Sequence, residues 1–157
     1  MSASILSIPI WLWLRLVADL KRRGAGVRES GAFLLGRQTD ERRQVRTYVC
    51  YDDLDPDALS TGIVTISGNG YSALWAHCRR RKLRVLADVH THGNAHPEQS
   101  GTDEANPMIP EAGHVALILP SYAHGGSWRL QNVAVYEYKG NYHWDRHPRS
   151  HIHLTIF

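Results

Sequence analysis

The sequence predicts an α+β fold, a single mixed sheet with helices packed against it. Three observations carry this expectation. Two segments, near residues 10–20 and 71–82, repeat apolar residues at helical spacing. Between and after them lie short apolar or β-branched runs bounded by Gly, Pro, Asn and Asp, which read as strands. The order is helix, strands, helix, strands rather than a strict alternation, which favours helices laid on one mixed sheet. At 157 residues, with 43% hydrophobic and 21% charged residues, the chain reads as one domain spanning 1–157, large enough to bury a core.

Taken in order, Ile5 to Leu14 is almost continuously apolar and contains Trp11 and Trp13. It is too short to span a bilayer. It lacks the basic start of a secretory signal, and no cleavage site is evident after Arg15 and Asp19. Ile10, Trp13, Leu14, Val17 and Leu20 instead suggest a packed helix beginning near Pro9, with Lys21, Arg22, Arg23 and Gly24 as its C-terminal signal. Ala32 to Leu35 and Val45 to Tyr51 read as strands. Asp52, Asp53, Asp55 and Asp57 follow. They lack the spacing and central Gly of a calcium loop, so a solvated turn is the reading. Thr61 to Ser67 is expected to be a strand. Tyr71 to Lys82 is expected to be a helix with Leu74, Trp75 and Cys78 inward. Residues 85–92 and His114 to Leu119 read as buried strands. Leu130 to Tyr138 and Tyr142 to Trp144 read as a hairpin across Lys139, Gly140 and Asn141.

Charge and cysteine content narrow the function classes. A net charge of +3 is mildly basic and does not call for nucleic acid. The densest basic run, Arg79, Arg80, Arg81, Lys82 and Arg84, sits where a helix should end and complements its dipole, with an acidic partner surface as the alternative. Cys50 and Cys78 form no CxxC pair, which excludes a thiolate zinc cage and suits free thiols in a reducing cytoplasm.

The most informative segment is His90-x-His92-x7-Ser100-x-x-Asp103. On a strand, residues i and i+2 share a face, so both imidazoles can reach one ion. Gly93, Pro97 and Gly101 let the chain return with Asp103. Two His and one Asp leave a fourth zinc position open, as a catalytic site requires. With 10 His in the chain an HxH pair can arise by chance, and His151-x-His153 is a second one. That pair has no downstream carboxylate and reads as a solvated edge strand. His96 reads as a loop residue, and His143, His147, His151 and His153 as surface. Ser100 could cap a helical turn, donate to a substrate oxygen, or do both. A proton acceptor must come from six Glu, of which Glu98 and Glu104 are nearest in sequence. Asp88 reads as a strand residue supporting the site.

Other metal chemistries fail. Asp88-Val-His-Thr-His resembles the opening strand of amidohydrolases and of polymerase-and-histidinol-type phosphoesterases, but such barrels take ~200 or more residues. The deaminase pair H-x-E with P-C-x-x-C is absent, as is H-E-x-x-H.

The spacing His90-x-His92-x7-Ser100-x-x-Asp103 resembles the JAMM (JAB/MPN) metallopeptidase signature. That family also carries an upstream Glu in a pattern E-x-G-x-L-x-G, and this chain reads Glu29-Ser-Gly31-Ala-Phe-Leu-Leu35-Gly36. The segment 113–120 resembles the strand that follows the Asp. One departure is Gly93, where many members have Pro after the second His. The resemblance implies a single curved mixed sheet flanked by helices, with a cytidine-deaminase-like layering. It implies Zn2+ held by His90, His92 and Asp103, with Glu29 as general base and Ser100 as oxyanion donor. It further implies a peptidase acting on the C-terminal tail of a ubiquitin-like protein or its conjugates. The small bacterial members it resembles best accompany E1-like and E2-like enzymes in conjugation operons, including anti-phage systems of the CBASS and Bil kinds. The expected location is cytoplasmic, with no nucleic acid and no membrane as partner. A non-catalytic scaffold of the same fold and a DNA-associated, RadC-like member are the alternatives. A site on a sheet edge would take an extended peptide as an added strand.

Overall fold

A computed structural model describes residues 5–156; the outermost ends of the 1–157 assignment lie outside the described residues. Eight strands form one curled mixed sheet in the order β7-β6-β5-β4-β2-β3-β1-β8. They are β1 (Ile5–Pro9), β2 (Gly31–Gln38), β3 (Arg42–Cys50), β4 (Arg84–Thr91), β5 (Val115–Leu119), β6 (Ala134–Gly140), β7 (His143–His147) and β8 (Ile152–Thr155). β4 pairs with β5, and β1 with β3 and β8, in parallel; the other pairings are antiparallel. The helices are α1 (Ile10–Gly24), α2 (Tyr51–Leu54), α3 (Gly68–Arg81) and α4 (Gly101–Ala105). No helix of the described residues is long and apolar enough to cross a membrane.

The two sheet faces have separate cores. On one, Leu12, Trp13, Leu16, Val17 and Leu20 of α1 pack on Leu34, Val45, Ala87, Val89 and Leu117. On the other, Leu74 and Cys78 of α3 join Phe33, Leu35, Tyr51 and Ile109. Both cysteines are free and buried.

Several expectations need correction. The apolar N-terminal run is two elements, a strand and then the helix, because Pro9 ends β1 and caps α1. Ile10 and Leu14 are exposed rather than inward. In a nearly continuous apolar run, periodicity does not fix helix rotation, and β1 turns the chain so that Leu12 and Leu16 face the sheet instead. Trp75 is also exposed: Gly70, Leu74 and Cys78 define the buried stripe of α3, and Trp75 lies about 100° round the helix from Leu74. Tyr51 is not a strand residue but opens α2. Residues 61–67 form no strand. Their polar groups are satisfied locally: Thr65 N donates to Ala58 O, and Ser67 caps α3 by accepting from Gly70 N.

The acidic stretch is a structural turn. Arg23 of α1 reaches Asp52 and Asp53 at 2.9 Å each, and Asp55 accepts from the backbone of Asp57 and Ser67.

Candidate metal centre

β4 is an interior strand, flanked by β5 and β2. The site therefore sits at the C-terminal end of a central strand, not on a sheet edge, and strand addition by a peptide has no free ladder there. His90 and His92 project to the α3 side, and both are buried. Thr91 points the other way and locks the neighbouring strand. Its backbone N donates to Ser30 O at 2.9 Å, and its hydroxyl accepts from Ser30 N at 3.0 Å. Ser30 Oγ in turn donates to Leu20 O of α1 at 2.8 Å. Glu29 is thus clamped from the next residue.

The segment that replaces the expected strand completes the hold on Glu29. Glu29 N donates to Gly62 O at 3.1 Å, and Val64 N donates to Glu29 Oε2 at 3.4 Å. The free oxygen, Oε1, lies 3.8 Å from His92 Nε2. Gly31 makes this approach possible. It pairs with His90 across the ladder, and a Cβ there would collide with the ring of Tyr51 and stand 2.7 Å from Val89 O.

Asp103 arrives on α4, whose first turn is built by Ser100. Ser100 Oγ accepts from Asp103 N, and Asp103 Oδ2 accepts from Ser100 N, a reciprocal capping box. The α4 segment is pinned to the β6–β7 hairpin, where Trp144 Nε1 donates to Glu104 O and Tyr136 Oη accepts from Gln99 N.

Each ring approaches the other, and one oxygen of Asp103, at a distance close to that between neighbouring ligands of a tetrahedral ion. His90 Nε2 to His92 Nε2 is 3.1 Å, His90 Nε2 to Asp103 Oδ1 is 3.4 Å, and His92 Nε2 to Asp103 Oδ2 is 3.1 Å. Zinc bonds of ~2.0–2.1 Å at tetrahedral angles place ligand atoms ~3.3 Å apart. Among the described residues, His90, His92 and Asp103 are the one group of three with this ligand geometry. The electrostatics agree. Burial alone would drive positive charge off His90, but the bond to Asp103 and the charges of Asp103, Asp88 and Glu29 outweigh it and raise its pKa. Burial would raise Asp103, yet its bonds to both rings hold it far below the usual carboxylate range. A site so biased stabilises a cation. Burial pushes the Glu29 carboxyl above its ordinary value despite the nearby rings, which brings it closer to the range useful for proton transfer.

The other candidates fall elsewhere. Glu98 is exposed and faces Arg146 at 3.9 Å, and Glu104 is exposed. Spacing nominated these two, and only the β2–β4 pairing reveals why Glu29 is closer. His96 is exposed. Asp88 is buried beside His114, 3.6 Å from its Nε2. His143 and His153 are exposed, but His147 is half-buried, bonded to Glu137 at 2.9 Å and stacked on His151. Gly93 stands where Tyr122 packs: a Cβ would approach Tyr122 Oη to 2.8 Å, so a proline there requires the Tyr122 side chain to move. Ser30, Thr91 and Tyr122 were missed in the sequence. Only Thr91, between the two His, lay inside a recognisable signal.

Residues 12–133 match the model for prokaryotic homologs of the JAB domain, and the chain belongs to that family. Two solved structures share the fold. A solution structure of a protein from Desulfitobacterium hafniense is 18% identical with a TM-score of 0.67, covering 96% of this chain and 93% of that one. A solution structure of a protein from Salinibacter ruber is 17% identical with a TM-score of 0.54, covering 90% and 88%.

Proposed function

We propose that this chain is a zinc-dependent isopeptidase or peptidase that cleaves immediately after the C-terminus of a ubiquitin-like protein. The reaction would serve precursor maturation, deconjugation or both, in a bacterial antiviral conjugation system. The observation that supports catalysis most is the four-residue constellation: two imidazoles and a carboxylate converging within 3.1–3.4 Å of one another, and Glu29 Oε1 3.8 Å from His92 Nε2.

His90, His92 and Asp103 would hold the metal, and an imidazole–carboxylate set suits zinc. When bound, such an ion acidifies water and polarises a carbonyl. Glu29 takes the proton of the attacking water and passes it to the leaving amine. Val64 N keeps the second Glu29 oxygen fixed, which leaves Oε1 turned toward His92 for these transfers. Ser100 Oγ accepts from Asp103 N, which leaves its own proton free to donate to the developing oxyanion. The tail would approach across the end of β4, past residues 93–100, since the sheet edges lie at β7 and β8. E1-like and E2-like enzymes of the same operon are the partners this reading names, and the cytoplasm is its location.

Incubation with ubiquitin-like fusions and with unfolded casein tests the proposal. Cleavage at the fusion junction by zinc-loaded protein, lost on chelation and in Glu29→Ala, is expected. Efficient casein digestion with intact fusions would refute the isopeptidase reading. A metal-loaded, folded protein that cleaves neither would favour the scaffold alternative.

A further inference from the structure

The basic run is explained only in part by the helix it ends. α3 stops at Arg81, and the favourable interaction of cations with its dipole is confined to the last turn. Arg84 lies outside that turn, as the first residue of β4. Lys82 is the C-cap in the left-handed region at φ 53°, ψ 43°, a position that favours Gly. A lysine there carries a conformational cost that a glycine would not.

Arg79, Lys82 and Arg84 share one groove. It has a volume of about 450 Å³ and lies between the end of α3, the start of β4 and the segment at 109–111. Its floor is apolar, with Trp75, Val85 and Ile109, and Trp75 is 41% exposed. The three cations make no ion pair among the described residues, and Glu111 is the lone acid on the lining. Tyr71, one helical turn before Trp75, ties α3 to the far wall by donating to Met108 O at 2.7 Å. The groove is therefore a built concavity.

We propose that this groove docks an acidic segment of a partner protein through one bulky apolar side chain. The anchor would lie on Trp75, Val85 and Ile109, and flanking carboxylates would face Arg79, Lys82 and Arg84. Unpaired cations around an apolar floor are complementary to that chemistry. A nucleic-acid backbone would instead need cations tracking a line of phosphates, whereas Arg79, Lys82 and Arg84 cluster around one concavity whose floor also holds the aliphatic Val85 and Ile109. The groove lies on the same sheet face as His90. Val85 is five residues before it on β4, a separation of ~16 Å at ~3.3 Å per residue. A partner held here leaves the metal centre open. The inference does not depend on the peptidase reading, because its test measures binding alone.

The probe is a fluorescein-labelled acidic peptide with a single central phenylalanine, titrated by anisotropy into the full chain. Controls are the same peptide with serine in place of phenylalanine, and a single-stranded DNA of equal charge. Binding should weaken about tenfold or more in the Arg79→Glu, Lys82→Glu double variant, and comparably with the serine peptide. It should also weaken as salt rises. Since charge reversal could disturb the end of α3, Arg84→Gln and Trp75→Ser are measured in parallel, each checked by thermal unfolding. Folded variants that bind the peptide like the wild type would overturn the proposal. So would absence of binding to the wild type, or DNA binding tighter than the peptide and lost in the same variants.

Discussion

Ser100 and Asp103 hold each other: Ser100 Oγ accepts from Asp103 N at 3.1 Å, and Asp103 Oδ2 accepts from Ser100 N at 2.9 Å. The same Asp103 oxygen lies 3.1 Å from His92 Nε2. The cap therefore sets the position of a proposed metal ligand, and Ser100 has two separable jobs.

Substitution separates them. Ser100→Ala should lose about 1 kcal/mol of capping, whereas glycine at an N-cap costs only about a few tenths of that. Neither residue can donate to an oxyanion, a loss of about 10²-fold or more in turnover. Ser100→Gly should thus bind zinc nearly as wild type, by chelator competition, while cleaving a ubiquitin-like fusion ~100-fold more slowly. Wild-type turnover in Ser100→Gly would confine Ser100 to capping.

Glu29 is predicted to act on protons and not on metal binding. Glu29 Oε1 lies 3.8 Å from His92 Nε2, while His90, His92 and Asp103 approach one another to 3.1–3.4 Å. Glu29→Ala should retain about one zinc per chain and lose about 10²–10⁴-fold in turnover. His90→Ala with His92→Ala should lose the metal. Elemental analysis of the three proteins side by side reads both outcomes, and zinc loss in Glu29→Ala would make it a ligand instead.

The site was legible in the sequence where a motif and a strand coincide. His90 and His92 needed only alternation on a strand, and Ser100-x-x-Asp103 carried its own capping signature. Glu29 was legible through the family resemblance alone, since sequence distance favours Glu98 and Glu104. What locks it, the Ser30–Thr91 pair and the 62–64 backbone, depends on which strands become neighbours, and no local pattern encodes that. The N-terminal run failed for a different reason. Its apolar residues satisfy several helix rotations and a strand equally well, so burial was decided by Pro9 and by pairing with β3 and β8. The β-branched content of 61–67 suggested a strand, but Asp55, Ala58 and Glu29 satisfy its backbone groups instead.

Thr91 supplies a prediction no motif points to. Thr91→Val keeps the shape but removes the acceptor for Ser30 N, which is buried. An orphaned buried N–H costs about 1–3 kcal/mol. Stability by urea unfolding should fall by that amount. Turnover should fall further than in an equally destabilising core variant such as Leu74→Ala, because the segment leading into β2 that Thr91 holds carries Glu29. Equal activity of the two variants per folded molecule would remove Thr91 from any positioning role.

The last prediction concerns acid. Glu137 of β6 is mostly buried; burial would raise its pKa, but bonds from Lys139 at 3.0 Å and His147 at 2.9 Å outweigh that and lower it below its ordinary value. Asp19 of α1 is likewise lowered: burial opposes ionisation, and the Tyr48 hydroxyl at 2.8 Å and the Arg22 and Arg23 guanidiniums overcome it. A carboxyl whose folded pKa lies below its unfolded one binds fewer protons folded than unfolded near that pH. Its stabilising contribution is fully present above the unfolded value, about 4 for these groups. It is lost as pH falls through the folded value. Stability should therefore be flat in this respect above about pH 5 and decline below about pH 4. Glu137→Gln cannot titrate, so its decline with acid should be shallower than that of the wild type, even though the variant is less stable at neutral pH. Chelated protein must be used for both, so that proton competition at His90, His92 and Asp103 does not contribute. Parallel acid limbs in the two proteins, measured by urea unfolding from pH 7 to pH 3, would show that Glu137 is not one of the groups coupled to folding.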